Sequence, residues 1–557
     1  MKRRQFLNIA LPATGAIMIA PGLLDARVLS EINSQFTGKP DFDEYDLIVN
    51  GAGLSGYFAA IHAARQGKKV LMVEKRPSPG YEIAAKRKLW LNADGFDQFN
   101  PEMTQLFFPE EEKQEIHHSS NKGPNGSLFG NDLLLFSGSI RKGMLRNLLL
   151  DKVHVLLMTD VCGLLSDQNK VRGVLLASKH GLHTVGCKNF IDASDNLMFS
   201  RELAGDSSEI DQAGFVLEAF KAKNTNRKKI QLPASMGLSG NQLTLIPGKQ
   251  VDHQVFLEYK FPVKSQRAEE IEQQARLIAS EIGTNLPRLD ESLKDAVIEQ
   301  FPLEAAIYLK SNELPKTALN GHHLLSHQYN DLSCRNVMAI ESEAKKLVNS
   351  LQATNGKKQN YSTIIMPGAE ISFDQVKLND INEPGLSVPL KSCEFDYNLI
   401  NQRNQCEVLV AGGGTSGAMV AMGAVEKGAD TIVVDFFNDL GGTKTMGGVM
   451  GYYHGYTDHK FFKKQDADNA QEAAAANMSK KTGRKFYHLK NVLNGGGRFL
   501  TGAILSGTLV RDQKVEGILI CRNGKLEIIK SAITIDATGD GDLAFFAGAN
   551  CEHGNSR

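Results

Sequence analysis

Cysteine supplies this chain with no scaffold. Its seven cysteines, Cys162, Cys187, Cys334, Cys393, Cys406, Cys521 and Cys551, form no CxxC pair and no cluster with iron–sulfur or zinc spacing. The odd count leaves at least one thiol free in a monomer, so no disulfide framework can be read from it. A surplus of one charge is also missing. Sixty-three basic residues balance 63 acidic ones, and a neutral chain of this kind does not resemble a nucleic-acid binder. Long apolar runs are lacking as well. The stretch from Ile9 to Leu24 is interrupted by Pro12, Gly15, Pro21 and Gly22, too short and too broken for a membrane span. The histidines His322, His323 and His327 stand together without a carboxylate, which reads as solvated surface and not as a metal site.

Glycine, by contrast, is plentiful, and many of the 52 glycines belong to one pattern that occurs twice. The first copy is Tyr45-Asp-Leu-Ile-Val-Asn-Gly51-Ala-Gly53-Leu-Ser-Gly56, with Glu74 closing the apolar run Val70-Leu-Met-Val. The second is Glu407-Val-Leu-Val-Ala-Gly412-Gly-Gly414-Thr-Ser-Gly417, with Asp435 closing Thr431-Ile-Val-Val. In both the acid lies 23 residues past the first glycine. The spacing describes a mechanism: a buried strand ends in a tight turn, a helix begins with its free N–H groups facing a pyrophosphate, and the acid at the end of the next strand accepts from ribose hydroxyls.

The repeat extends further. Residues 162–194 and 506–538 align without a gap over 33 positions, about ten of them identical, and each stretch ends in Ile-Asp-Ala-Ser or Ile-Asp-Ala-Thr. Apolar runs of strand length separated by turns such as Arg522-Asn-Gly524 predict a small β-meander and a strand returning to the parallel sheet. The second copy continues Asp536-Ala-Thr538-Gly539-Asp540-Gly541-Asp542. The first continues Asp192-Ala-Ser194-Asp195-Asn196, without the glycines that would let backbone approach a cofactor.

These readings divide the 557 residues as follows. Residues 1–30 form a targeting segment: Lys2-Arg3-Arg4-Gln5-Phe6-Leu7 ahead of a modest apolar stretch is the pattern of a twin-arginine signal. That route exports folded proteins, placing the mature chain in the periplasm or otherwise outside the cytoplasm, with no stable membrane span after processing. Residues 41–204 are the first dinucleotide-binding unit and 205–330 an inserted, cap-like domain, with a strand over 253–260 and an amphipathic helix from Glu269 to Ile282. Residues 331–352 are the closing strand (336–340) and helix of the first unit, 353–403 a connector, and 404–557 the second unit. Because only thirteen residues follow Ala544, the second unit is expected to be incomplete relative to the first.

The second unit resembles the FAD-dependent oxidoreductase family that includes heterodisulfide-reductase-A-like proteins. Three motifs in order carry the resemblance: the Gly412–Gly417 loop, the Leu440-Gly441-Gly442-Thr443 turn with Gly447-Gly448, and Asp536-Ala-Thr-Gly-Asp-Gly-Asp-Leu-Ala544. The first unit looks like a divergent relative in which Tyr81-Glu-Ile-Ala-Ala85 replaces the Gly-Gly-Thr turn. The resemblance implies an α/β fold of two Rossmann-like FAD/NAD(P)-binding units, each a parallel sheet with a β-meander, plus an inserted α+β domain. It implies FAD with its pyrophosphate over Gly412, Gly414 and Gly417 and its adenosine ribose on Asp435. Gly441, Gly442 and Thr443 would run beside the pyrophosphate, and Thr538, Gly539 and Asp540 would line the cleft from the returning strand. Gly51, Gly53, Gly56 and Glu74 are the matching candidates in the first unit. Family members with iron–sulfur clusters carry dedicated cysteines, and this chain has none.

A flavin brings the redox chemistry, while the protein supplies orientation, hydrogen bonds and exclusion of water. His454, in Tyr452-Tyr-His-Gly-Tyr456, is the candidate proton carrier because imidazole titrates near neutral pH. Asp540 and Asp542 read equally as cofactor contacts or as helix N-caps. The expected function is an exported FAD-dependent oxidoreductase acting on an unidentified small organic substrate. A non-catalytic or truncated FAD-fold protein and an NAD-dependent dehydrogenase are the alternatives; the Gly-Gly-Thr and Gly-Asp-Gly motifs speak against the last, since a simple Rossmann unit needs neither.

Overall fold

The computed structural model describes residues 45–550 apart from 110–131, 207–208, 224–225, 249–252, 312, 318, 327–331, 352–360, 381–389, 402 and 450–457. The candidate signal segment and the residues His327 and His454 therefore lie outside the described residues.

The first unit opens with strand Tyr45–Asn50, whose side chains are buried on both faces, as a central parallel strand requires. It pairs in parallel with Val70–Glu74 on one side and the returning strand Gly181–Asp192 on the other. His154–Leu157 extends the sheet beyond Val70–Glu74, and His322–Leu324 lies parallel to the end of the returning strand. The helix Leu54–Arg65 packs on one face, where Ala59, Ala60 and Ala63 let it sit close. Its far side meets the helix Cys334–Ser350.

That last helix corrects one expectation. Residues 336–340 are not a strand; they are helical, with Ser333 as the N-cap, its hydroxyl accepting from Asn336 N–H. Val337, Ile340, Ala344 and Val348 recur at helical spacing and are all buried. The short apolar run 336–340 hid this longer period. The closing strand is instead His322–Leu324, so His322 is a buried sheet residue and not part of a solvated loop. Its ring bonds to the Ser200 hydroxyl at 3.0 Å, and burial pushes its pKa down to about 4.

The second unit repeats the plan. Arg403–Ala411 lies between Thr431–Val434 and the returning strand Lys525–Asp536, with Arg498–Leu500 at the edge. Its opening helix, Thr415–Glu426, buries Ala418, Ala421 and Met422 against Val410 and Val433. The meanders match in detail. Thr159–Asp167 and Lys170–Ser178 shift register between Val161 and Gly163; Ile504–Arg511 and Lys514–Arg522 shift between Leu505 and Gly507, the same repeat positions. The two meanders pack on each other, with Cys162, Leu175, Leu519, Cys521 and Ile528 in one core. Ile364, Ile371 and Cys393 of the connector fill that core.

The inserted domain is an antiparallel sheet built on Ile210–Phe220 and Val255–Pro262, covered by the helix Ala268–Leu289. Its core takes in Ala476, Met478 and Phe486 from the second unit. A buried ion cluster fixes the same junction. Arg276 Nε donates to Asp439 at 2.6 Å and its Nη1 to Glu272 at 2.5 Å, while Lys485 reaches Asp439 at 2.7 Å. The domain that interrupts the first unit is thus seated against the second.

Candidate functional site

Two dinucleotide clefts can be compared position by position. Both glycine loops make the same turn. Gly51 has φ +98° and Gly412 φ +94°, and a Cβ at either would lie 2.5 or 2.6 Å from the carbonyl oxygen of Ala193 or Ala537 on the returning strand. Only glycine fits such a contact. Gly56 and Gly417 sit one turn later, against the carbonyls of Gly51 and Gly412. Asp192 and Asp536 do the same work at the ends of the returning strands: Asp192 accepts from Ser194 and Ser200 N–H, and Asp536 from Thr538 and Ala544 N–H.

In the second unit the space above this frame is open. Among the described residues, a Cβ on Gly414, at the start of the helix Thr415–Glu426, would meet nothing within 4 Å, and neither would one on Gly539. Among the described residues no side chain caps that helix, so its first N–H groups carry the positive end of the dipole into the cleft. The turn Gly441–Thr443 is laid against the glycine loop: Gly441 N–H donates to the Gly413 carbonyl at 2.8 Å, and Thr415 Oγ1 donates to the Gly441 carbonyl at 3.1 Å. A Cβ on Gly442 would lie 2.9 Å from Gly414 Cα, so a side chain there would close the cleft. Asp435 accepts from Gly413 N–H at 2.6 Å and from Phe437 N–H at 2.7 Å. Burial pushes its pKa up to about 6, against the pull of those two amides. Asp540 is half exposed at the mouth and Asp542 is fully buried. The structure therefore gathers Gly412, Gly414, Gly417, Asp435, Gly441, Gly442 and Thr443 about one glycine loop, with Thr538, Gly539 and Asp540 following the returning strand beside it.

The first unit fills the same space with its own side chains. Thirty residues past Gly51, Tyr81 stands where Gly442 stands past Gly412, and Glu82 follows in place of Thr443. A Cβ on Gly53 would overlap the Tyr81 ring and lie 2.5 Å from Glu82 Oε1. Glu82 accepts from Leu54 N–H at 3.0 Å, putting a carboxylate on the helix N-terminus where a phosphate would otherwise be held. Asp195 replaces Gly539, and Arg76 replaces Phe437. Arg76 lies over the Tyr81 ring at 4.3 Å and bonds Glu74 at 3.1 Å, Glu304 at 2.6 Å and Asp195 at 3.4 Å. Glu74 also accepts from Ala52 N–H at 2.6 Å. Gly51, Gly53, Gly56 and Glu74 are thus assembled as a nucleotide frame, with Tyr81, Glu82, Asp195 and Arg76 inside it. Burial pushes Glu82 up to about 7.

Sequence reasoning missed residues beneath the second cleft. His488 lies under the Gly441 turn; a Cβ on Gly441 would be 3.1 Å from its Nδ1. Burial, with Arg484 nearby, lowers its pKa to about 3 and keeps it neutral. Asp439, two residues before Gly441, anchors the turn through Arg276 and Lys485. Both belong to elements far away in sequence, so no local pattern announces them. His459, by contrast, is exposed ahead of the helix Lys460–Ala475.

The fold is that of a protein with two Rossmann-like units, each opening on a glycine turn between parallel strands. Residues 46–230 and 407–557, well over half of the chain, match the family model of FAD dependent oxidoreductases, and the chain belongs to that family. It is an FAD-dependent oxidoreductase, and FAD is its cofactor. Solved structures with similarity include a geranylgeranyl bacteriochlorophyll reductase-like protein from Thermoplasma acidophilum, at 16% identity over 56% of this chain and 80% of that one, TM-score 0.39. The myxobacterial chondrochloren halogenase is similar at 14% identity over 56% and 76%, TM-score 0.37. Glycine oxidase from Bacillus cereus is similar at 15% over 56% and 96%, TM-score 0.33. No curated protein matches the chain.

Proposed function

We propose that the second unit alone holds FAD, and that the protein is an exported oxidoreductase acting on a small organic molecule. The contrast at matching positions carries this reading: Gly414, Gly442 and Gly539 leave a cradle that a side chain would fill, and the first unit fills it with Tyr81, Glu82 and Asp195. The second unit offers the donors and acceptor that FAD needs: helix amides that no described side chain caps for the pyrophosphate, and a carboxylate for the ribose. When bound, FAD supplies the electron-pair chemistry.

The chain's own part follows from the residues. Gly412 and Gly417 let strand, turn and helix close together, and Gly414 admits the pyrophosphate to the N–H groups that follow it. Asp435 is already oriented by the Gly413 and Phe437 amides and keeps lone pairs for ribose hydroxyls. Thr443, Thr538, Gly539 and Asp540 line the remainder of the cleft. His454 is the proton carrier in this reading. The Arg3-Arg4 pair with Phe6-Leu7 supports export through the twin-arginine route. The order of the three glycine motifs supports affinity with heterodisulfide-reductase-A-like flavoproteins, without their iron–sulfur clusters, because no cysteine spacing here would hold one.

The test is the FAD content of the purified chain and of two variants. One FAD per chain, lost in Gly414→Val and kept in Gly53→Val, is the expected outcome; loss in Gly53→Val instead would overturn the assignment. For export, Arg3→Lys with Arg4→Lys should retain the protein in the cytoplasm, and unchanged secretion would refute that part.

A further inference from the structure

The first unit, filled by its own side chains, meets the second through the two hairpin tips of the meanders. Under the gap-free repeat alignment, Lys179 and Asn523 occupy the same position. Each tip crosses to the other unit. Asn523 Oδ1 accepts from Lys75 at 3.0 Å, and Gly524 N–H donates to Asp160 at 2.8 Å, both in the first unit. Lys179 goes the opposite way. Its Nζ lies 3.2 Å from Asp540 Oδ2 and 3.2 Å from Asp542 Oδ2, in the loop that closes the second cleft. Gly181, at φ +110°, brings the same tip against Ser506 and Phe546 of the second unit.

The charges of that cleft explain why a cation is needed there. Asp435, Asp536, Asp540 and Asp542 gather around it, and the pyrophosphate of FAD adds two more negative charges. Asp536 is committed to Thr538 and Ala544 N–H. Lys444, on the glycine turn, has Arg484, Asp466 and Lys480 as its charged neighbours. Lys179 touches both Asp540 and Asp542 of the returning loop, and its charge also acts on Asp435. The first unit's own cleft receives neutral Asn523 at the matching place, consistent with a frame that already holds Arg76.

We propose that Lys179, contributed by the first unit, is a positioning and charge-balancing residue of the second unit's FAD cleft: it pins Asp540 and Asp542 and offsets their repulsion of the pyrophosphate. The divergent first unit then serves as a wall of the working site. This inference rests on FAD binding in the second unit.

The experiment is FAD titration of the full-length apoprotein, followed by flavin fluorescence, for wild type, Lys179→Arg, Lys179→Gln and Lys179→Gln with Asp540→Asn. Lys179→Gln leaves Asp540 and Asp542 uncompensated beside the incoming pyrophosphate, so it should weaken FAD binding by roughly tenfold. Lys179→Arg should stay close to wild type. Removing the Asp540 charge should restore part of the affinity lost in Lys179→Gln, a reversal that a purely structural role would not give. Apoprotein thermal unfolding of each variant separates folding losses from binding losses. Wild-type affinity in Lys179→Gln, or equal losses in Lys179→Arg and Lys179→Gln, overturns the inference while leaving FAD in the second unit. A wild-type chain that takes up no FAD overturns both.

Discussion

Valine at Gly414 and valine at Gly53 should have opposite effects, although the two glycines are equivalent in the repeat. Gly414 has φ −65° and ψ −159°, an extended conformation open to any L residue. A Cβ there meets nothing within 4 Å among the described residues. The apoprotein should therefore change by no more than about 0.5 kcal/mol, as surface substitutions do. The valine methyls would occupy the volume in which the pyrophosphate approaches the helix amides. Losing two charge-assisted hydrogen bonds at about 1.5–3 kcal/mol each weakens FAD binding by roughly hundredfold or more. Gly53→Val instead forces a side chain into Tyr81 and Glu82. Overpacking of this kind costs about 1–3 kcal/mol, seen as a thermal midpoint lowered by about 1–3 °C in a chain of this size, with FAD affinity retained. Thermal unfolding of both apoproteins and FAD titration of both variants give the four numbers needed. A destabilised Gly414→Val with intact FAD binding, or a stable Gly53→Val that has lost FAD, would refute the reasoning.

Glu82 should make stability depend on pH. Its folded pKa, about 7, lies above the ordinary 4.5, so its contribution is present below pH 4.5 and is lost as pH rises through 7. Glu82→Gln keeps the acceptor for Leu54 N–H and should match wild type near pH 5 but be more stable by about 1–3 kcal/mol at pH 8; denaturant unfolding at the two pH values checks this, and a constant difference would contradict it. Asp435, held up at about 6 by burial, is a neutral acid at pH 5, so FAD should bind more weakly at pH 5 than at pH 8, with the difference flattened in Asp435→Asn; equal pH dependence in that variant would show that another group titrates. Arg276→Met leaves Asp439 and Glu272 buried with one fewer cation and should cost about 3–5 kcal/mol. Urea unfolding reads this directly, and a loss below about 1 kcal/mol would mean that the cluster does not hold the inserted domain to the second unit.

Much of the frame was legible because its physics is local. The turn at Gly51 and Gly412, the acid 23 residues on, and the meander ending in Ile-Asp-Ala all depend on neighbours in sequence, and the internal repeat doubled the signal. Tyr81 in place of Gly442 and Asp195 in place of Gly539 were visible as departures from the motif. That they fill the cleft depends on the fold, which sets Gly53 against the Tyr81 ring. What the sequence hid was relational. The run 336–340 looked like a strand because a five-residue apolar window does not separate periods of 2 and 3.6; the buried face of Cys334–Ser350 settles it. His322 looked solvated because its partners, Ser200 and the returning strand, lie more than a hundred residues away. Lys179 carries no motif at all, and its role comes from a hairpin tip crossing between units.

The most direct test of the central claim is the ratio of FAD to polypeptide in the purified full-length chain. FAD released by denaturation is quantified by absorbance, and protein by amino-acid analysis. One FAD per chain in wild type and in Gly53→Val, with none in Gly414→Val, is the predicted result. Two per chain, none in wild type, or one retained in Gly414→Val would contradict the assignment of the second unit as the only flavin site.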